Sequence, residues 1–136
     1  MEPPSDLGLG SLDFVYAPSS DVAADARWFI DVLGAELVFA IDSGGTRVAM
    51  FRVGSGSPPV LVADHLHDQR PILLYRVASL DAATERLEER GWTGGHVVEL
   101  PPGPAAVFDA PGGLRLAIYE PVRLGVVDSW AGTRDF

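Results

Sequence analysis

The sequence predicts an α+β fold made of two βαβββ modules. Two observations carry this. A strand, a helix and three further strands follow one another twice within 136 residues. Each predicted helix also stops on a glycine, Gly34 and Gly91, which lie 57 positions apart. Two copies at that period read as paired modules, because a solenoid needs three or more.

The first module opens at Leu12-Asp13-Phe14-Val15-Tyr16-Ala17, a short apolar and aromatic run bounded by Pro18, which reads as a strand. Ser19-Ser20-Asp21 supplies helix-capping chemistry. Val22, Ala26, Phe29 and Leu33 then fall on one face of an amphipathic helix, and Gly34 ends it. Leu37–Asp42, Arg47–Val53 and Val60–His65 read as strands, separated by Ser43-Gly44-Gly45-Thr46 and by the Gly/Ser/Pro run 54–59. The second module repeats the order. Ile72–Val77 is a strand, Ser79 caps a helix over Leu80–Arg90, and Leu80, Ala83 and Leu87 form its apolar face. His96–Leu100, Ala105–Asp109 and Leu114–Tyr119 complete it. Residues 1–10 read as a loose leader, 11–121 as one domain with modules at about 11–68 and 70–121, and 122–136 as a tail. Trp130 and Phe136 on that tail suit either a partner subunit or a sheet edge.

Composition narrows the class. An apolar fraction of 47% is ordinary for a globular protein. A chain of this length buries about two thirds of its unfolded surface. No run approaches the ~18 apolar residues that a membrane helix needs, and the acidic, Pro/Gly-rich start lacks the basic and apolar regions of a secretory signal. Without cysteine there is no disulfide, thiolate nucleophile or Cys-type zinc site. A cytoplasmic protein is expected. Nineteen acids against ten bases give a net charge of −9. Nucleic-acid binders need clustered Lys and Arg to displace counterions, and an anionic membrane surface repels such a chain. Neither partner is expected, and the acidic balance leaves a cationic ligand open.

Three strings carry a family resemblance. Ala26-Arg27-Trp28-Phe29-Ile30-Asp31-Val32-Leu33-Gly34-Ala35-Glu36-Leu37, Tyr75-Arg76-Val77-Ala78-Ser79-Leu80-Asp81-Ala82-Ala83 and Phe108-Asp109-Ala110-Pro111-Gly112-Gly113-Leu114-Arg115-Leu116-Ala117-Ile118-Tyr119-Glu120-Pro121 resemble, in order, motifs of the glyoxalase/bleomycin-resistance/dioxygenase, or vicinal oxygen chelate, superfamily. The likeness covers roughly residues 11–121, and it implies that the strands of the two modules form a curved mixed sheet around a cavity. Metal-dependent members hold one divalent ion with four side chains, two from each module. By resemblance those positions fall on Phe14, Ile72, Ala117 and Val62, or Ala63 if the register is one residue off. None has an oxygen or nitrogen donor, so no metal and no other cofactor is expected. His65 and His67 have a zinc-like spacing but no third ligand in phase, and a solvated turn is the plainer account of them.

Strand side chains alternate, so residues two apart share a face. The same-face neighbours of Phe14, Val62, Ile72 and Ala117 are then Tyr16, Asp64, Leu74 and Tyr119, with Arg76 a step beyond. Apolar walls with two phenols, a carboxylate and a guanidinium suit a small-molecule site. The blander reading has the phenols packing with their hydroxyls at the rim and Arg76 bridging to Asp64 or Glu120. The leading expectation is a homodimer, similar to the bleomycin-resistance branch, that binds a small hydrophobic and optionally cationic molecule without metal. Whether it also catalyses stays open. A metal-independent enzyme would use Tyr16, Tyr119, Asp64 or Arg76 for proton transfer or oxyanion stabilisation. A metal-dependent lyase or dioxygenase would need a different register.

Overall fold

A computed structural model describes residues 8–66, 69–92 and 96–136. The strands are β1 (Leu12–Pro18), β2 (Glu36–Ser43), β3 (Thr46–Arg52), β4 (Val60–Ala63), β5 (Ile72–Arg76), β6 (His96–Leu100), β7 (Gly103–Asp109) and β8 (Arg115–Tyr119). The helices are α1 (Val22–Asp31), α2 (Leu80–Glu89) and α3 (Leu124–Ser129). The chain is therefore α+β, with the βαβββ order occurring twice. It divides into two compact units, Phe14–Ile72 with Ser129–Phe136, and the residues up to Asp13 with Leu73–Asp128. None of the described helices is long and apolar enough to cross a membrane.

In the unit built on Phe14–Ile72 the strand order is β2-β3-β4-β1. β1 and β4 run parallel, and the β2/β3 and β3/β4 pairs are antiparallel. Asp21 caps α1, its side chain accepting from the Ala24 N–H at 3.0 Å. Val22 and Ala26 are buried under the helix, together with Ala40, Ala49, Phe51 and Val62 of the sheet. Phe29 adds a ring stacked on Phe51, with centroids 4.8 Å apart and planes 15° apart. Leu33 does not extend this stripe. α1 ends at Asp31, the backbone then turns through Gly34 at φ +66°, and Leu33 projects outward, 47% exposed. The helical period stops applying where the helix stops.

The other unit has the order β5-β8-β7-β6, again with one parallel pair, β5/β8, beside two antiparallel ones. Ser79 caps α2 by accepting from Ala82 N–H at 3.2 Å, and Glu120 accepts from Leu80 N–H at 2.9 Å, so two of the first-turn donors are satisfied. Leu80 and Ala83 pack on Ala106 and Ile118, with Leu87, Trp92 and Phe108 around them. Where β7 begins, Gly103 passes so close to β8's end that a Cβ would stand 1.9 Å from the Glu120 carbonyl oxygen. No other residue fits there.

The tail covers a sheet edge. After α3, residues 130–136 run along the free edge of β2. Gly132 N–H donates to Val38 C=O at 2.8 Å, Ala40 N–H to Thr133 C=O at 2.9 Å, and Asp135 N–H to Ala40 C=O at 2.7 Å. Trp130 meets Phe39 edge to face at 5.3 Å, and Phe136 packs on the α1 core with the Arg47 guanidinium 4.9 Å above its ring. An unpaired edge strand is a template for aggregation, and this one is closed.

Candidate functional site

The polar centre of the second unit is a carboxylate. Asp13, near the start of β1, accepts from Arg76 Nε at 2.8 Å and from the Tyr119 hydroxyl at 2.5 Å, both on Oδ2, while Ser11 Oγ donates to Oδ1. Backbone bonds set the geometry. Gly10 N–H donates to Arg76 C=O at 2.8 Å and Arg76 N–H to Ser11 C=O at 3.0 Å, which lays residues 10–11 along the end of β5. Arg76 and Tyr119 are register partners on the parallel β5/β8 pair, so their side chains leave the sheet on one face and converge on the acid.

This arrangement fixes the charge states. Burial pushes the Asp13 carboxyl up, but the hydrogen bonds from Ser11, Tyr119 and Arg76 outweigh it and hold the group below the usual carboxylate range. Burial, then the hydrogen bond to Asp13 and its negative charge, push the Tyr119 phenol well above its ordinary value. The hydrogen bond to Asp13 raises Arg76 further. At neutral pH the cluster is carboxylate, guanidinium and neutral phenol. The Arg76 side chain stays 43% exposed, against 14% for Asp13. It forms part of the wall of an open cleft of about 500 Å³ with Gly8, Gly10, Val77, Glu120 and Pro121.

Among the residues expected from the sequence, Leu74 stands beside Ala117 and Arg76 beside Tyr119, all on one sheet face, and Leu74, Ala117 and Tyr119 are buried. Ile72 is buried as well. In the other unit Phe14 and Tyr16 are buried on the face of β1 turned away from α1. Val62 does not join them. The parallel register sets Tyr16 beside Leu61 and Ala17 beside Val62, and Val62 and Ala17 belong to the core under α1. The residues that share the Phe14 and Tyr16 face are Leu61 and Ala63. Asp64 is exposed past the end of β4, where it accepts from Arg47 N–H at 3.1 Å and closes the sheet end. Arg76 pairs with neither Asp64 nor Glu120. Its partner is Asp13, which the sequence reading passed over, although Asp13 is the one acid in the first predicted strand and Arg76 the one base in Ile72–Val77.

The Tyr16 hydroxyl is buried without a hydrogen-bond partner among the described residues, and burial drives its pKa up. The His65 ring lies edge-on to it at 6.0 Å. His67 falls outside the described residues. A divalent ion does not fit the positions that the family resemblance assigns to it. Phe14, Ile72, Ala117 and either Val62 or Ala63 present only hydrocarbon, and a divalent ion takes charged or polar O, N or S donors. No three His, Asp or Glu side chains among the described residues lie close enough together to hold one.

Solved structures show which fold this is. Methylmalonyl-CoA epimerase from Mycobacterium tuberculosis superposes with a TM-score of 0.66 at 22% identity, over 90% of this chain and 95% of that one. A methylmalonyl-CoA epimerase from Streptomyces coelicolor gives 0.58 at 14% identity, over 84% and 96%. A glyoxalase/bleomycin resistance protein/dioxygenase superfamily member from Vibrio splendidus 12B01 gives 0.58 at 12%, over 79% and 96%. No protein-family model and no curated protein matches the sequence. The chain has the vicinal oxygen chelate fold, as its three motif strings led one to expect.

Proposed function

We propose that this protein binds a compact apolar small molecule carrying an oxygen acceptor, and does so without a metal. One observation carries the reading. The Arg76 guanidinium, held at its Nε by Asp13, stands half-exposed on the wall of a cleft of about 500 Å³, a volume inside the range of about 300–1,000 Å³ typical of ligand sites. Val77, Pro121 and Val122 supply apolar wall, and Arg76 supplies the group that fixes orientation. Asp13 already accepts three hydrogen bonds, so the cluster offers a ligand donors and not a free negative charge. An acceptor oxygen, as in a carboxylate or carbonyl, suits it better than a cation.

Binding is favoured over proton transfer by the same geometry. A general base works best with a pKa near the operating pH. Asp13 is held low and Tyr119 high, so neither is poised there. The proposed protein acts as a cytoplasmic homodimer. Trp28, Val32 and Leu33, respectively 50%, 63% and 47% exposed on and just past α1, offer apolar surface for a second copy.

A thermal-shift screen of aromatic carboxylates, ketones and amines tests the reading. A ligand at ~100 times its dissociation constant adds about 2.7 kcal/mol and raises the melting midpoint by several degrees. Hits are expected among the acceptors, lost in Arg76→Gln and kept in Arg123→Gln, whose guanidinium pairs with Glu99 instead. Hits that survive Arg76→Gln in a folded protein refute the cleft, and hits confined to amines restore the cationic ligand.

A further inference from the structure

The two modules correspond element by element, at an offset of 58 residues in the helices and 57 in the third strands, and the comparison exposes one difference. Phe51 on β3 corresponds to Phe108 on β7, and both face the helix of their own module. Phe29, eight residues after the Asp21 cap of α1, corresponds to Leu87, eight residues after the Ser79 cap of α2. In the first module Phe29 fills the space beneath α1 by stacking on Phe51 at 4.8 Å. In the second, Leu87 takes that place beneath α2, with a shorter side chain and no ring. Among the described residues the ring contact of Phe108 is an edge-on one with Trp92, at 5.6 Å and 71°.

Beside Leu87 lies a cavity of about 330 Å³ lined by Leu9, Tyr75, Leu87, Phe108, Leu116, Ala117 and Ile118. Every lining side chain is apolar except for the Tyr75 hydroxyl. A concave pocket with apolar walls favours hydrocarbon guests, which remove its surface from water. A ring entering it meets the Phe108 face as Phe29 meets Phe51, and offset or parallel ring pairs at such distances are favourable beyond their area.

We propose that this cavity is a binding site for a small, flat aromatic molecule or aryl group, stacked on Phe108 in the space that the ring of Phe29 fills in the first module and the shorter Leu87 leaves open in the second. The site lies on the α2 side of the sheet, whereas Arg76 and Tyr119 leave β5 and β8 on the other face, so it does not depend on the cleft proposed above.

Naphthalene is the probe. Ligand-observed NMR on the intact chain is expected to show saturable binding, with intermolecular NOEs from naphthalene to the Leu87, Leu116 and Ile118 methyl groups. Leu87→Phe restores a ring beneath α2, so it is expected to raise the melting midpoint and weaken naphthalene binding at least tenfold. Ile118→Phe serves the same purpose from the sheet if the first variant does not fold, and Arg76→Gln is expected to leave binding unchanged. Absence of saturable binding, absence of those NOEs in the unmodified protein, or undiminished binding in a folded filling variant overturns the proposal. Naphthalene binding lost on Arg76→Gln as well as on Leu87→Phe overturns the independence of the two sites.

Discussion

Replacing Asp13 by Ala removes the one acceptor on which three side chains converge, and the structure sets the size of the effect. The Tyr119 side chain is buried, so its hydroxyl loses a charge-assisted bond and keeps its desolvation, a cost of about 1–3 kcal/mol. The Arg76 pair is 43% exposed on the arginine side, and solvent screening reduces its share to about 0–1 kcal/mol. The Ser11 bond lies at the surface and adds little. The total is about 1–4 kcal/mol at neutral pH, on the order of 10 °C in the melting midpoint of a domain this size. The pH dependence gives a second, sharper readout. Asp13 has a folded pKa below its unfolded value of about 3.9. Its stabilisation is therefore fully present above about pH 5 and disappears as pH falls through the folded value. Scanning calorimetry of both proteins from pH 7 downward should show a constant gap to about pH 5 and a closing gap below it. A gap under 1 kcal/mol at pH 7, or one indifferent to pH down to about 3, refutes the idea that this carboxylate organises the unit.

The two buried phenols should respond oppositely to loss of their hydroxyls. Tyr119→Phe is expected to lose about 1–2 kcal/mol, whereas Tyr16→Phe, which removes a hydroxyl without a partner among the described residues, should be neutral or stabilising in urea denaturation. Gly103→Ala puts a methyl group within 1.9 Å of the Glu120 carbonyl oxygen, so it should lower the melting midpoint by well over 10 °C, while Gly112→Ala, with open space around it, should change it by less than about 2 °C. Deleting residues 130–136 uncovers the β2 edge; amide exchange at Ala40 and Asp42, now bonded to Thr133 C=O and the Asp135 carboxylate, should accelerate at least a hundredfold, and an unchanged rate would show that the tail does not hold that edge in solution.

The helices α1 and α2 were legible because each is punctuated chemically. Asp21 and Ser79 cap the starts, Gly34 and Gly91 turn the ends, and the apolar spacing between them has the helical period. Most strands were legible from turn residues on either side. The face of β4 was not. Val60-Leu61-Val62-Ala63 is apolar throughout, so no polar alternation separates the α1 side from the other, and only the β1/β4 register places Val62 beneath the helix. Asp13 escaped because its partners are distant in the chain. Arg76 and Tyr119 lie 63 and 106 residues away, and strand order decides which charges meet. The short α3 and the strand-like run behind it gave no periodic signal, since six residues hold less than two full turns. Trp130 and Phe136 marked the tail as apolar, and the sheet edge gave those rings a place to go.

The position of that tail also sets an order of events during synthesis. The Asp42 amide waits for a carboxylate 93 residues downstream, so a ribosome that has delivered β1 through β4 has not yet delivered the last neighbour of β2. Until residues 132–135 emerge, a nascent first module carries a bare, apolar strand edge beside Phe39. Pairings across so long a stretch of chain form late, because loop closure has to precede them. The interval in which all of the second module is being made is thus the interval in which the first is most open to capture by a neighbouring chain or a chaperone. A tag or reporter fused after Phe136 enters this same narrow place, next to a ring packed into the α1 core.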